Sequence, residues 1–198
     1  MICCHRINSI KLLNETPIEY GIEIDLRDST NGDGKIHISH DPFTMGENFE
    51  DFLKHYRHSF IILNIKSERI EWKVLDLLKT HNIIDNYFFL DSSFPMIYQL
   101  SNANETNIAI RFSEYESIDT AIKMKDKIKW VWVDCFTNNP LNVENYVLLK
   151  NLGLKICFVS PELQQQPEKI DEYKMFFKDN KIHLDMICTK IYNIEKWK

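Results

Sequence analysis

The sequence predicts an α/β chain folded as a small (β/α)8 TIM-type barrel, and three observations lead there. Eight short runs rich in β-branched and aromatic residues, at 1–5, 21–27, 59–66, 87–91, 106–111, 130–134, 154–160 and 184–188, alternate with stretches of helical periodicity. Strands that alternate with helices pair in parallel through right-handed crossovers, and eight such units make a barrel. The length of 198 residues suits one domain, 1–198, with short loops and a core that buries roughly 70% of the unfolded surface. The open doubly wound sheet usually carries a glycine-rich turn after its first strand; here the chain has five glycines, none of them before Gly21.

Met1–Cys4 is an apolar run that ends in His5-Arg6, and a loop or short helical turn leads through Asn14 and Pro17 to the strand at 21–27. In that strand Ile22, Ile24 and Leu26 alternate with Glu23, Asp25 and Arg27, so the charges share one face and the apolar residues the other. Asp28-Ser-Thr-Asn-Gly-Asp-Gly34 is dense in turn formers and reads as a loop. A short hairpin strand, 35–39, delivers His40-Asp41-Pro42, with His37 expected on its surface. Phe49, Phe52, Leu53 and Tyr56 then recur at helical spacing. After the strand at 59–66 come a helix at 67–81, with Ile70, Val74, Leu77 and Leu78 on one side, and a shorter one at 93–102. Further helices are expected at 114–125, 143–151 and 167–178.

A net charge of −5 leaves no basic footprint for nucleic acid. No stretch approaches the ~20 apolar residues of a membrane span, so stable membrane insertion is not expected. The five cysteines have no zinc or redox spacing and lie mostly in strand-like runs, where a thiol behaves as a small hydrophobe. Met1 opens without a basic start and long apolar run, so a reduced, cytoplasmic protein is expected.

In a barrel of this type the active site lies at the carboxyl ends of the strands. Polar residues gather there: His5 and Arg6, then Glu23, Asp25 and Arg27, then Asn64 and Lys66, with Asp91, Arg111 and Asp134 at later ends. Two carboxylates with a histidine nearby suit a hard metal ion or a phosphate group.

Taken together, His5-Arg6, Glu23-x-Asp25 and His40-Asp41 resemble the glycerophosphodiester phosphodiesterase family, within the superfamily of phosphatidylinositol-specific phospholipase C-like barrels. Leu63-Asn-Ile-Lys66, Ser93-Phe94 and Leu184-Asp-Met-Ile-Cys-Thr189 resemble its later motifs, so the likeness runs along essentially the whole chain. It implies that His5 and His40 are the general acid and base, and that Arg6 and Lys66 grip the phosphate oxygens. It also implies that Glu23, Asp25 and Asn64 hold a divalent cation, Mg²⁺ or Ca²⁺. The family's strand-three acid is here Asn64, which removes one negative charge from that ligand set. Arg111 is a further substrate-side cation, in the manner of the superfamily's metal-independent members. Ile7 stands where a glycine is usual, and the Glu-Asn-Thr motif is missing, with Asn8 and Asn14 as the substitutes on offer. The implied reaction is cleavage of a small alcohol phosphodiester. A lyase of phospholipase or sphingomyelinase D type, with Phe43, Phe94 and Phe136 as an apolar rim, and a non-catalytic phosphoryl-ligand binder remain the alternatives.

Overall fold

The computed structural model describes residues 1–29 and 31–198. The turn-forming loop at 28–34 therefore includes one residue, Thr30, that lies outside the described residues. The described residues form two compact units, Cys3–Ala103 on the one hand and Met1–Ile2 with Asn104–Lys198 on the other.

The first unit carries β1 (Ile2–Cys4, from Cys3), α1 (Ile10–Glu15), β2 (Gly21–Asp28), β3 (Ile36–Ile38), β4 (Glu47–Asn48) and α2 (Phe49–His55). It continues through β5 (Phe60–Ile65), α3 (Glu71–Thr80), β6 (Tyr87–Leu90) and α4 (Phe94–Asn102). Strands β1, β2, β5 and β6 are parallel neighbours in that order. The register places Asp25 beside Asn64 and Ile24 beside Leu63. The helix expected only as a turn, α1, starts where Ser9 accepts the Leu12 N–H and Glu47 accepts the Ile10 N–H at 2.6 Å. Likewise α2 is capped by Asn48 and α4 by Ser93.

The apolar alternation in β2 is fully used, since Ile22, Ile24 and Leu26 are all completely buried. The opposite face is buried as well: Glu23 and Asp25 are both 0% exposed. A strand enclosed on both sides carries two carboxylates only if the surroundings supply hydrogen bonds or counter-charges. In α3 the buried positions are Glu71, Val74, Leu75 and Leu78, while Leu77, expected in the apolar stripe, is half-buried. The helix begins at Glu71 rather than at 67, and its inner face runs through Glu71, Val74, Leu75 and Leu78 at i, i+3, i+4 and i+7.

The antiparallel hairpin β2–β3–β4 brings His40 back over the end of β2, with Leu26 opposite Ile38. Gly46 closes this excursion, for a Cβ there would stand 1.7 Å from the Ile38 carbonyl oxygen. His37 is not a surface residue as the alternation suggested. It is 8% exposed and its Nδ1 donates to the Gly46 carbonyl at 3.1 Å, which pins the returning loop.

The second unit comprises β7 (Ala109–Phe112), α5 (Asp119–Lys123), β8 (Trp130–Val133), α6 (Val143–Asn151), β9 (Lys155–Val159), α7 (Ile170–Asp179), β10 (Met186–Thr189) and α8 (Ile194–Trp197). Its strands are again parallel, in the order β7, β8, β9, β10. Phe158 is its packing centre, meeting Phe177 at 4.8 Å and both Tyr173 and Trp197 at 6.1 Å between ring centroids. Two expected helices are shorter here. The segment 113–116 is a turn held by the Ser113 hydroxyl and the Glu116 carboxylate. The stretch Pro167–Lys169 is a 3-10 turn that leads into α7.

Candidate active site

The groups expected from β1, β2, β5 and the hairpin come together in the first unit, at the carboxyl ends of its strands. Glu23 is the buried centre. Its Oε2 accepts the Arg6 main-chain N–H at 2.7 Å, its Oε1 accepts from Asn64 Nδ2 at 2.9 Å, and His5 Nε2 lies 3.8 Å away. Burial above all, then the neighbouring Asp25, pushes the Glu23 carboxyl up to about 7. The hydrogen bonds from Asn64 and Arg6, and the Lys66 charge, limit that rise.

Asp25 is held from three sides. Asn8 makes a reciprocal pair with it, Nδ2 donating to Oδ2 at 2.7 Å and Oδ1 accepting the Asp25 N–H at 3.0 Å. Arg6 Nε stands 3.8 Å from Oδ2, and Lys66 Nζ stands 3.6 Å from Oδ1. Lys66 also faces Asp91 at 3.4 Å. Of the two proposed stand-ins for the missing Glu-Asn-Thr motif, Asn8 is the one that reaches the carboxylates, because Ile7, bonded through its N–H to the Glu23 carbonyl at 2.8 Å, turns the chain back along β2.

Arg6 sits in the left-handed region at φ 57, as do Phe43 at φ 62 and Asp91 at φ 59. For side chains of this size such a backbone costs on the order of 1–3 kcal/mol each and persists only where other contacts impose it. At Arg6 the imposing contact is the Glu23 carboxylate on its N–H. The consequence is that the Arg6 guanidinium, 43% exposed, is thrown toward solvent, where its Nη2 donates to His40 Nε2.

That contact identifies the His40 tautomer. A guanidinium can only donate, so His40 Nε2 is an acceptor and the ring is neutral with its proton on Nδ1. Nδ1 donates to Asp41 Oδ1 at 2.8 Å, and this bond is the main reason that the Asp41 carboxyl is held below the usual range. The side chain of His5 is 15% exposed and that of His40 38%. One imidazole is thus tucked against a buried carboxylate, and the other is presented nearer the surface with an unprotonated nitrogen covered by the Arg6 guanidinium.

Arg111 lies in the second unit. It is engaged there by two carboxylates, Asp134 through Nη1 and Glu116 at 3.7 Å from Nε, and its guanidinium carbon lies 5.9 Å from the Phe136 ring centroid. Asp134 also accepts from Gln164 at 2.8 Å and from the Cys135 N–H at 3.0 Å. An anion approaching Arg111 has to compete with these carboxylates.

Among the described residues, no three His, Cys, Asp or Glu side chains cluster so as to hold a metal ion. The set expected for a cation contains only two carboxylates, and its remaining capacity is in neutral or unsatisfied oxygens. Asp25 Oδ1 and Asn64 Oδ1 are both buried without a hydrogen-bond donor, and Asn64 spends its N–H on Glu23, which leaves its carbonyl oxygen unused. Two adjacent buried carboxylates with two unsatisfied oxygen atoms fit a hard cation of the Mg²⁺ type, which commonly takes one or two carboxylates and completes its shell from water and substrate phosphate.

No family model matches the chain, and no curated protein matches it. Solved structures do. One is of a candidate glycerophosphoryl diester phosphodiesterase from Agrobacterium tumefaciens str. C58, with a TM-score of 0.67 and 15% identity over 95% of this chain and 92% of that one. Another is of a glycerophosphodiester phosphodiesterase from the same organism, with a TM-score of 0.64 and 15% identity over 94% and 95% of the two chains. At this identity the likeness shows the fold: the α/β chain of (β/α)8 type expected from the strand–helix alternation is the fold of this protein.

Proposed function

We propose that this chain is a phosphoric diester hydrolase of glycerophosphodiester type, cleaving a small alcohol phosphodiester by paired histidines. The observation that carries the reading is the convergence of His5, His40, Arg6 and Lys66 around the buried pair Glu23 and Asp25. Their chemistry divides naturally. His40, with Nδ1–H held by Asp41 and Nε2 unprotonated beneath Arg6, is the group able to take a proton from the attacking oxygen once Arg6 moves to the phosphate. His5, 3.8 Å from the Glu23 carboxylate, is placed to carry a proton and give it to the leaving alkoxide. The new P–O bond forms as the bond to the alcohol breaks. Attack by water yields a phosphomonoester, and attack by a neighbouring substrate hydroxyl yields a cyclic phosphate.

Arg6 offers a planar fork to two phosphate oxygens and Lys66 a point charge. Arg6 is then drawn off His40 by the phosphate, and the base is released when the substrate arrives. Glu23, Asp25 and Asn64 would hold a divalent cation, Mg²⁺ or Ca²⁺, whose chemistry is to neutralise phosphate charge as the transition state forms. Because two carboxylates and an amide make a weak set, cation and phosphate are expected to bind together rather than separately. Among the described residues no helix is long and apolar enough to cross a membrane. The five cysteines are buried and, among the described residues, none is in a disulfide, which suits a cytoplasmic, reducing address for the enzyme.

A second reading is favoured by Phe43, 91% exposed two residues after Asp41, with Met45 at 62% and Phe94 at 54%. These apolar groups in the first unit suit a substrate whose alcohol carries a lipid chain. The two are separated by one assay set. Glycerophosphocholine and bis(p-nitrophenyl) phosphate are expected to be hydrolysed with added Mg²⁺ or Ca²⁺ and not in EDTA. Activity confined to phospholipid vesicles moves the substrate to the lipid class, and binding of diesters without turnover of any contradicts an enzyme.

A further inference from the structure

We propose that Arg27 is a positioning residue that fixes the spacing between the acid–base group His40 and the phosphate-gripping Lys66; this rests on the phosphodiesterase reading above. Arg27 is the third charge on the polar face of β2, and it has no place among the acid–base, phosphate or cation groups. Among the described residues its guanidinium hydrogen-bonds to main-chain carbonyls. Nε and Nη2 both donate to the His40 carbonyl, at 3.3 and 3.0 Å, and Nη1 donates to the Lys66 carbonyl at 2.9 Å. One rigid, planar group therefore ties together the main chain of the two residues.

Both carbonyls need such a tie. His40 lies beyond the end of β3 at Ile38, and Lys66 beyond the end of β5 at Ile65, so neither belongs to the strand ladder. The last main-chain bonds to β2 are made by the Ser39 N–H on the Asp25 carbonyl at 3.0 Å and the Lys66 N–H on the Leu26 carbonyl at 2.9 Å, which leaves the His40 and Lys66 carbonyls to Arg27. Arg27 extends the grip of β2 by one residue on each side. A lysine cannot replace it, because three N–H groups aimed at two separated carbonyls require the guanidinium fork. Displacing a reacting group by about 1 Å can cost around 10²-fold in rate.

The test uses the full chain with Arg27→Gln and Arg27→Lys, alone and combined with His40→Ala or Lys66→Ala. On bis(p-nitrophenyl) phosphate, Arg27→Gln is expected to lower kcat and raise KM, for a loss of about 10- to 100-fold in kcat/KM, with Arg27→Lys between it and wild type. The kcat effect disappears in the His40→Ala background and the KM effect in the Lys66→Ala background. An equal loss in every background, or wild-type kinetics for Arg27→Gln, overturns the proposal. Amide hydrogen exchange decides the matter without turnover. In Arg27→Gln the Ser39 and Lys66 amides should exchange about tenfold faster or more, while those of Ile24 and Leu63 are unchanged. Unchanged exchange at Ser39 and Lys66 overturns the positioning role even if no diester is ever turned over, and faster exchange sustains it in that case.

Discussion

Replacing His40 by alanine is expected to lower phosphodiester turnover by about 10²- to 10⁴-fold, the usual contribution of a placed acid–base group. The fold should not notice, since the His40 side chain is 38% exposed and its bonds are to the exposed side chains of Asp41 and Arg6. His5→Ala should lose a similar factor, and the double variant little more than either alone, because both groups serve one proton-transfer sequence. Steady-state assays with circular dichroism as the folding control check this. Near-wild-type rates in His40→Ala would remove the base from the mechanism. Asp41→Asn makes a milder version of the same change. It keeps the ring in reach but no longer demands a proton on Nδ1.

Glu23→Gln should separate activity from stability. The Glu23 carboxyl, normally near 4.5, stands at about 7 in the folded protein, chiefly because it is buried and secondarily because Asp25 is beside it. The folded state therefore holds a proton that the unfolded chain gives up. Its stabilising contribution is complete below about pH 4.5, declines as the pH rises, and is gone above about pH 7. A displacement from 4.5 to about 7 corresponds to roughly 3 kcal/mol. Urea unfolding in EDTA should show wild type losing stability on that order between pH 5 and pH 8. Glu23→Gln, neutral throughout, should have a flatter profile and be the more stable protein at pH 8. The amide is accommodated because Asn64 can turn its carbonyl toward the new N–H group. Added Mg²⁺ should stabilise wild type at pH 8 and leave Glu23→Gln unaffected. Parallel pH profiles for the two proteins contradict the buried, proton-holding carboxylate. The variant should be inactive even where it is more stable, which is the pattern of a site maintained at the expense of the fold.

The strand–helix alternation was legible because each strand is short, apolar and bounded, and the observed strands fall within about three residues of their expected limits. The paired carboxylates on β2 were legible for a related reason, since period-two alternation puts Glu23 and Asp25 on one face whatever lies around them. What could not be read depends on how separate segments meet. His37 looks like a surface residue until Gly46 brings its carbonyl onto the ring. Leu75 rather than Leu77 is in the core because the packed face of α3 is centred on Glu71, Val74, Leu75 and Leu78, and which side of an amphipathic helix is covered depends on its neighbours. Asn8 was one of two candidates until its two bonds to Asp25 distinguished it from Asn14. Arg27 gave no sign of its role because its partners are main-chain carbonyls, which carry no residue-type signature. Arg111, expected at the substrate, sits in the second unit between Asp134 and Glu116.

The most direct test of the site is a crystal structure of the chain soaked with Mg²⁺ or Ca²⁺ and a phosphate analogue. The expected result is one cation ligated by Glu23, Asp25 and the Asn64 carbonyl, with the phosphate bridged by Arg6 and Lys66 and flanked by His5 and His40. Phosphate bound away from His5 and His40, or a cation that avoids Glu23 and Asp25 while phosphate is present, would contradict it.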